Sequence, residues 1–419
     1  MRPQGRPGGR TLLATGLITA ASLATAGGVL AAPAVPAAAG SAQAAASAPG
    51  ALRGWGANEH GELGDGTRIS RDAPVAVRLP AGTKVSAVRG GCTFGLAATT
   101  AGSVLTWGRQ FAPTGGPAIT AGPLTPVRVR LPRGTRVSTV RAGCSLSLAL
   151  TTKGGVLAWG AGRSGALGNG STRNHSRPVR VALPPGTRVK AISAGGSFGL
   201  ALTTTGHLLA WGQNTNGQLG DGTTTDRRRP VRVKLPAGAR VTAIAAGGRS
   251  SFAVTSAGVF GWGADEQGQL GDGATTDQHR PERITLPQSV APAGRVTQLA
   301  SGCQFTIALT ARGQVLAWGT NFRGQLGDGN MTDSHVAVQV KLPRGTRVSS
   351  ISAGCDHALA LTSAGRVLSW GLNASGQLGN GTKTDSDKPV RVQLAAGLRA
   401  TAVGSGPVSL SSFAIVTRR

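Results

Sequence analysis

Short apolar runs recur along most of the chain, and clusters of Gly, Pro, Thr and Asn separate them. Residues 187–236 hold four such runs in succession: RVKAISAG, FGLALTT, HLLAWG and PVRVKL. In the last run Val231, Val233 and Leu235 alternate with basic residues, which is the period of a strand with one solvated face. No window has the apolar period of an amphipathic helix. The segment therefore predicts four antiparallel strands, which we name A, B, C and D.

This four-strand unit recurs along the chain at a nearly constant period. Each of the seven Trp precedes a Gly, and the spacings between them are 52, 52, 52, 51, 56 and 52 residues. A repeat of this length predicts an all-β, seven-bladed propeller of four-stranded antiparallel blades. The repeats begin with a C strand and end with an A and a B strand, so we expect strands from both termini to close the last blade. The Trp residues lie at 55, 107, 159, 211, 262, 318 and 370.

The phrase WGQNTNGQLGDGTTTD, residues 211–226, would suggest a binding loop if it stood alone. Because related phrases follow most of the Trp residues, we interpret it as part of the scaffold. Trp211 is expected to pack between blades, Leu219 to hold the loop against the core, and its Gly residues to adopt turn conformations. The second copy, residues 107–129, lacks the Gly-Gln-Leu-Gly phrase. Its divergent loop, residues 109–126, is either a specialised site or a degenerate repeat.

The full motif resembles the regulator of chromosome condensation repeat over residues 51–419. It reads G-x-V-L-x-W-G-x-N-x-x-G-Q-L-G-D-G-T, then P-V-x-V-x-L, then V-x-x-I-x-A-G-x-x-x-x-L-A-L-T. The resemblance implies the same seven-bladed propeller. It implies function only weakly, since the family includes a nuclear guanine-nucleotide exchange factor and secreted propellers that inhibit β-lactamases. A His frequent in the family between strands A and B is kept here only as His357, and the polar exchange face is not matched residue by residue.

The first 44 residues have the pattern of a signal peptide. Three Arg precede a mildly apolar stretch, and Ala-Gln-Ala at 42–44 fits a cleavage site. We expect residues 1–44 to be removed, residues 45–50 to be a short linker and residues 51–419 to form the propeller. The alternative is an uncleaved membrane anchor, for which the Gly and Thr content is unfavourable. The expected product is a secreted monomer without stable membrane insertion.

The charge of the chain is strongly positive and is expected to divide between two faces. The formal net charge is +28, from 44 basic and 16 acidic residues. A–B turns and C–D loops should share one face, the top face, and B–C turns and D–A loops the other, the bottom face. Fifteen acids fall in the top-face segments, and Glu282 is expected at the top end of a D strand. The residue that opens strand A is basic in all seven copies: Lys84, Arg136, Arg188, Arg240, Arg295, Arg347 and Arg399.

This basic ring predicts salt-sensitive attraction to an anionic polymer or surface. The alternative is that repetition, together with the coding bias of a GC-rich genome, multiplied one solvated Arg. Sequence-specific nucleic-acid binding is not expected, because no stacking aromatics interleave with the basic residues.

Four Cys occupy one repeat phase, the A–B turn near the axis, in two neighbouring blade pairs. At a radius of about 7 Å, equivalent atoms of adjacent blades lie about 6 Å apart, within reach of a disulfide. The even count suits an exported protein. We predict Cys92–Cys144 and Cys303–Cys355; the alternative is four buried thiols. A zinc site is disfavoured, because the pairs should lie apart and His357 is the one His nearby.

Motifs for catalysis and cofactor binding are lacking in the sequence. It contains no Gly-x-Ser-x-Gly elbow, no phosphate loop with Lys and no metalloprotease helix, so we expect no enzyme, cofactor or metal. Asp221 and Asp226 and their equivalents suggest calcium, but the pattern lacks further carboxylates, and Asp capping of turns is the favoured interpretation.

Two classes of function remain. The first is an exported, non-enzymatic binding scaffold that presents face loops to a protein or to an anionic cell-envelope partner, with a secreted β-lactamase-type inhibitor as a specific version. The absence of Tyr argues against that version. The second is an exchange factor or an enzyme, which export would separate from cytosolic GTPases. We expect the scaffold.

Overall fold

Seven antiparallel sheets of four strands each make up the described part of the chain. The computed structural model describes residues 50–110, 122–286 and 295–418. Each sheet pairs its strands in the order A, B, C, D, and neighbouring sheets pack face to face as the blades of a seven-bladed propeller. The predicted signal peptide and linker residues 45–49 lie outside the described residues. No helix in the described ranges is long and apolar enough to cross a membrane.

The strands follow in chain order, and blades I to VI each take four consecutive ones. The chain enters with β1 (Ala51–Gly56) and β2 (Arg71–Ala76). Blade I has β3 (Val85–Gly90), β4 (Phe94–Thr99), β5 (Val104–Gly108) and β6 (Val127–Arg128). Blade II has β7 (Val137–Ala142), β8 (Leu146–Thr151), β9 (Val156–Gly160) and β10 (His175–Arg180), with a 3-10 turn at Arg163–Gly165. Blade III has β11 (Val189–Ala194), β12 (Phe198–Thr203), β13 (Leu208–Gly212) and β14 (Arg227–Arg232).

The remaining blades repeat this order. Blade IV has β15 (Val241–Ala246), β16 (Ser250–Thr255), β17 (Gly258–Gly263) and β18 (Gln278–Ile284). Blade V has β19 (Val296–Ser301), β20 (Phe305–Thr310), β21 (Val315–Gly319) and β22 (Ser334–Gln339). Blade VI has β23 (Val348–Ala353), β24 (His357–Thr362), β25 (Val367–Gly371) and β26 (Ser386–Arg391). The last strands are β27 (Leu398–Gly404) and β28 (Ser411–Arg418).

Blade VII joins the two ends of the described chain, as predicted. Its strand order is β2-β1-β28-β27, so the C and D strands come from the start of the repeats and the A and B strands from their end. Strand β1 pairs with β28 over six residues, with Trp55 opposite Ser412. The ladder gives both end strands partners, which otherwise would be free edges.

In six of the seven blades the D strand begins earlier than its apolar alternation predicts, and β6 of blade I is the exception. In blade III the predicted run starts at Pro230, whereas β14 starts at Arg227. Between the pairs Ala210–Val231 and Gly212–Arg227, strand D holds two more residues than strand C, which is a bulge. Pro230 lies in this bulge on the edge strand, where its missing N–H costs no ladder hydrogen bond. The alternation pattern reports burial and therefore missed the paired residues before the proline.

The hydrophobic core lies between blades. Among the described residues it forms seven clusters, each at one blade interface and each containing one Trp. Every Trp side chain is at most 1% exposed. Between blades III and IV, for example, Phe198 and Leu200 of one blade pack with Ile244 and Trp262 of the next. The predicted inter-blade position of the Trp residues is confirmed.

Six of the seven C–D loops cap the Trp of the following blade; Trp159, which follows the divergent loop of blade I, has no hydrogen-bond partner for its indole N–H among the described residues. The indole N–H of Trp262 donates to the carbonyl of Gln218 at 3.0 Å, and Leu219 of the same loop is fully buried in the shared cluster. Gly220 has φ +64° and lies against the ring; a Cβ there would be 2.7 Å from Trp262 Nε1. The same N–H to carbonyl bond ties Trp318 to Gln269 and Trp370 to Gln325. The repeated phrase is therefore the contact that joins one blade to the next.

Replacing Gly220 with Ala is expected to weaken this contact by two separable effects. The left-handed backbone costs a non-Gly residue about 1–2 kcal/mol, and overpacking against Trp262 adds about 1–3 kcal/mol. Gly238→Ala is the matched control, because Gly238 has φ +74° and no atom lies within 4 Å of the place where its Cβ would be. In denaturant unfolding, the midpoint of Gly220→Ala should be well below the midpoint of Gly238→Ala. Equal midpoints for the two variants would contradict the packing role of Gly220.

Candidate functional site

The seven residues of the predicted basic ring lie on the surface, each directly before the first core residue of an A strand. All seven are exposed. The carbonyl of Arg188 accepts the backbone N–H of Thr204, which fixes that end of strand A beside the B–C turn. This is the bottom face. None of the seven forms an ion pair with a carboxylate among the described residues.

A groove of about 470 Å³ opens on this face at the end of blade II, between the loop that enters blade II and the loop that enters blade III. Two ring members, Arg136 and Arg188, line it together with Lys153 of a B–C turn. Hydroxyl groups of Thr residues line it as well, and no acidic residue does. Arg133 and Arg180 complete its basic lining. Arg180 was not predicted from the sequence, because the ring was derived from A-strand openings alone, whereas Arg180 ends a D strand.

The acidic residues concentrate on the opposite side. The ion pairs among described residues include Arg71–Asp65 at 3.1 Å and Arg227–Asp221 at 2.7 Å, each joining a C–D loop carboxylate to the first residue of the D strand that follows. Burial by itself would raise the pKa of Asp221, but hydrogen bonds from Thr223 and Arg227 outweigh it and hold that pKa below its usual value. These carboxylates are therefore ionised and neutralised locally.

The predicted placement of one acidic residue was wrong. Glu282 was expected at the top end of a D strand, but it is the fifth residue of β18 and lies opposite Gly261 in the middle of the blade edge. The early start of the D strands also puts Asp72 and Asp387 second in β2 and β26 instead of in loops. The reason in each case is the proline bulge.

The four Cys form the two disulfides predicted, Cys92–Cys144 and Cys303–Cys355. Each has Cα atoms 4.6 Å apart, closer than the 6 Å inferred from an ideal seven-fold ring. They join the A–B turns of blades I and II and of blades V and VI. With all four thiols bonded, no Cys is left for a zinc site.

A known family shares this repeated architecture. The family model of the RCC1-like domain matches residues 20–284 and 117–409. The chain belongs to the RCC1-like family.

The proteins similar to this chain include a receptor and a ubiquitin ligase. This RCC1-like chain is 33% identical to the ultraviolet-B receptor UVR8 of Arabidopsis thaliana over 338 residues, which cover 80% of the chain and 76% of UVR8. It is 34% identical to the human E3 ubiquitin-protein ligase HERC2 over 367 residues, 84% of the chain but 7% of HERC2. The crystal structure of human WBSCR16 superimposes with a TM-score of 0.76 at 26% identity, covering 88% of this chain and all of that one.

Two arginines distinguish the axial channel of this RCC1-like propeller. Arg89 and Arg141 line a cavity of about 70 Å³ on the axis, where strands β11 and β23 contribute Ser193 and Ser352. Burial lowers the pKa of Arg89 to about 10, and burial together with the charge of Arg89 holds the pKa of Arg141 well below its ordinary value. Neither was singled out from the sequence, although an alignment of the A strands shows Arg in two copies where the others have Ser, Ala or Gly.

The described residues contain no group of three or more His, Cys, Asp or Glu arranged to hold a metal. His357, the one His retained at the family position, is instead fully buried in β24. Its Nε2 lies 2.8 Å from Ser412 Oγ. Burial lowers the pKa of His357 to about 4, so the ring is neutral near pH 7.

We expect His357 to make stability depend on pH. The unfolded chain binds a proton at this ring near pH 6.5, whereas the folded chain binds it near pH 4. The contribution of His357 to the free energy of unfolding is therefore fully present above pH 6.5 and falls by up to roughly 3 kcal/mol as the pH drops towards 4. His357→Phe, which copies Phe198 and Phe305 of other blades, should remove this component from unfolding midpoints measured across that range. An unchanged pH dependence in the variant would contradict the assignment.

Proposed function

We propose that this RCC1-like chain is an exported, non-enzymatic binding scaffold whose bottom face docks an anionic polymer. The observation that carries the proposal is the separation of charge between the faces. Exposed basic residues without carboxylate partners ring the bottom, while the carboxylates of these ion pairs of the described residues lie in top-face loops. The approach of a polyanion to a surface with unneutralised positive charges lowers the electrostatic free energy.

The groove at the end of blade II supplies a place where such a polymer would bind. A guanidinium presents several N–H donors in one plane, which suits phosphate, sulfate or carboxylate oxygens. Arg136 and Arg188 lie at the two sides of the groove, and the hydroxyls of Thr135 and Thr187 supply further donors. A repeating anion is favoured over a single small one, because the ring continues beyond the groove.

Other partner classes have less support. Proteins that bind single-stranded nucleic acid commonly combine a basic groove with aromatic side chains on which bases stack. Among the described residues the exposed aromatic is Phe322, in a top-face loop, where Arg323 lies over its ring at 5.4 Å. The apolar top-face residues Phe322 and Met331 suit a protein contact, which we regard as secondary.

Export is part of the proposal. Residues 1–44 carry the signal-peptide pattern, and two disulfides are typical of an oxidising compartment. Export would bring the basic face to the anionic polymers of a cell envelope. It would also separate the chain from cytosolic GTPases, which argues against the exchange-factor alternative.

Binding to polyphosphate and to heparin tests the proposal, with phosphate and sulfate compared directly. Affinity should fall about tenfold or more between roughly 50 and 200 mM salt, because several counterions are released on binding. Charge reversal of Arg136, Arg188 and Arg240 to Glu should reduce the low-salt affinity by about tenfold or more.

The matched control reverses three exposed arginines of the top face: Arg68, Arg173 and Arg249. It changes net charge by the same amount and should bind nearly as the parent does. An equal loss in both triple variants would assign binding to net charge and not to the face. Salt-independent binding, or none at low salt, would overturn the proposal.

A further inference from the structure

The C–D loops share one internal network centred on an Asn. In blade III, Asn214 Oδ1 accepts the backbone N–H of Leu219 at 2.8 Å. Asn214 Nδ2 donates to the carbonyls of Thr223 and Thr225 at 2.8 and 3.1 Å, and lies 3.3 Å from Asp221 Oδ1. The amide NH₂ therefore occupies a space lined by oxygen atoms, which are acceptors that a hydrogen-bond donor or a cation would stabilise. Three other loops repeat these contacts, at Asn58, Asn321 and Asn373.

The loop of blade IV keeps this backbone but places Asp265 at the Asn position. Asp265 Oδ1 accepts the backbone N–H of Leu270 at 2.8 Å, as Asn214 does for Leu219. The backbone N–H of Asp265 donates to Asp277 Oδ1 at 2.9 Å, again as in blade III. Asp265 Oδ2 therefore takes the place of the donating NH₂. Asp265 is 0% exposed, and its Oδ2 has no hydrogen-bond partner in the described part of the chain.

The neutralising groups of the blade III loop are also replaced. There, Asp221 accepts the hydroxyl of Thr223 at 2.7 Å and pairs with Arg227. The equivalent positions in blade IV are Ala274 and Gln278, which have neither a hydroxyl nor a positive charge. Asp272 still accepts the backbone N–H of Ala274 at 2.8 Å. Two carboxylates thus face one another across a space that, in the other loops, is occupied by the donating NH₂ of an Asn.

The electrostatics agree with this geometry. Burial raises the pKa of Asp265 to about 7; the backbone N–H of Leu270 opposes the rise, and the charges of Asp272 and Asp277 add to it. The pair needs one positive species between its oxygens, which is either a shared proton or a cation.

We propose that Asp265 and Asp272 bind a hard divalent cation, of which Ca²⁺ is the best chemical match. The carbonyls of Ala274 and Thr276, the register equivalents of the two Thr carbonyls in blade III, complete the protein ligands. Ca²⁺ takes six to eight oxygens in flexible geometry, so waters fill the remaining positions. The general pattern of paired loop Asp residues lacked a further carboxylate, and Asp265 supplies it in this loop alone among those described.

The cation would brace the top face, which goes beyond the anion-binding function proposed for the bottom. Gln269 of this loop accepts the indole N–H of Trp318 at 2.9 Å. Asp277 Oδ2 accepts the side-chain amide of Asn216, from the loop of blade III, at 2.7 Å. Occupancy would therefore stabilise the contact between blades IV and V and join two neighbouring loops.

Calorimetric titration of the full, oxidised chain with Ca²⁺ tests the proposal. At pH about 8, above the pKa of Asp265, we expect one site per chain with a Kd of about 0.1–1 mM. Thermal unfolding should shift upwards with Ca²⁺. Asp265→Asn restores the amide of the sibling loops and is expected to fold well. It should lower Ca²⁺ affinity by at least about tenfold and abolish the thermal shift, because one of two charged ligands is lost.

The control is Asp328→Asn, which makes the same charge change at the equivalent of Asp272 in a loop that has Asn321. It should bind Ca²⁺ as the parent does. Absence of saturable binding up to about 10 mM Ca²⁺, or equal affinity in Asp265→Asn, would overturn the proposal. So would a stability difference between parent and Asp265→Asn that depends on pH near 7 and not on Ca²⁺, since the carboxylates would then share a proton.

Discussion

The contact between each C–D loop and the Trp of the next blade is the constraint on which the rest of the structure depends. No blade can bury its own Trp, because the indole needs a neighbouring sheet on one side, and in every blade except II its N–H also donates to a carbonyl of the preceding C–D loop. Trp262 obtains both from blade III, through Leu200 and the carbonyl of Gln218. The requirement repeats around the ring, so closure of blade VII by both ends of the repeat array completes the last interface as well as the last sheet.

The same constraint explains why the two faces differ. Top-face loops must hold a fixed shape against Trp, and they do so with buried Asn and Asp side chains whose charges are neutralised nearby, as in the pair of Asp221 with Arg227. The residues that open the A strands do not hold a loop in a fixed shape. Their side chains extend into solvent, and repetition sets them in a ring. Acidic residues therefore serve the architecture, whereas basic residues are left available for a partner.

Repetition made the fold and the disulfides predictable from the sequence, because seven copies of one motif supply the register directly. Reliance on the shared motif also meant that positions at which one copy departs from it were missed. The D strand of blade III begins before the predicted run because of the bulge at Pro230, which alternation missed since it reports burial and not pairing. Arg89 and Arg141 were overlooked within strands otherwise ending in small residues. Asp265 resembles Asn in size, and only the surrounding oxygen atoms reveal that a donor has become an acceptor. These features depend on three-dimensional neighbours that no single repeat contains.

The central claim is that the bottom face, and not the total charge, is the binding surface. Arginine modification mapped by mass spectrometry, with and without bound polyphosphate, tests it most directly. We predict protection of Arg136, Arg188 and other ring members, while exposed top-face residues such as Arg249 remain reactive. Protection spread evenly over both faces, or confined to the top, would contradict it.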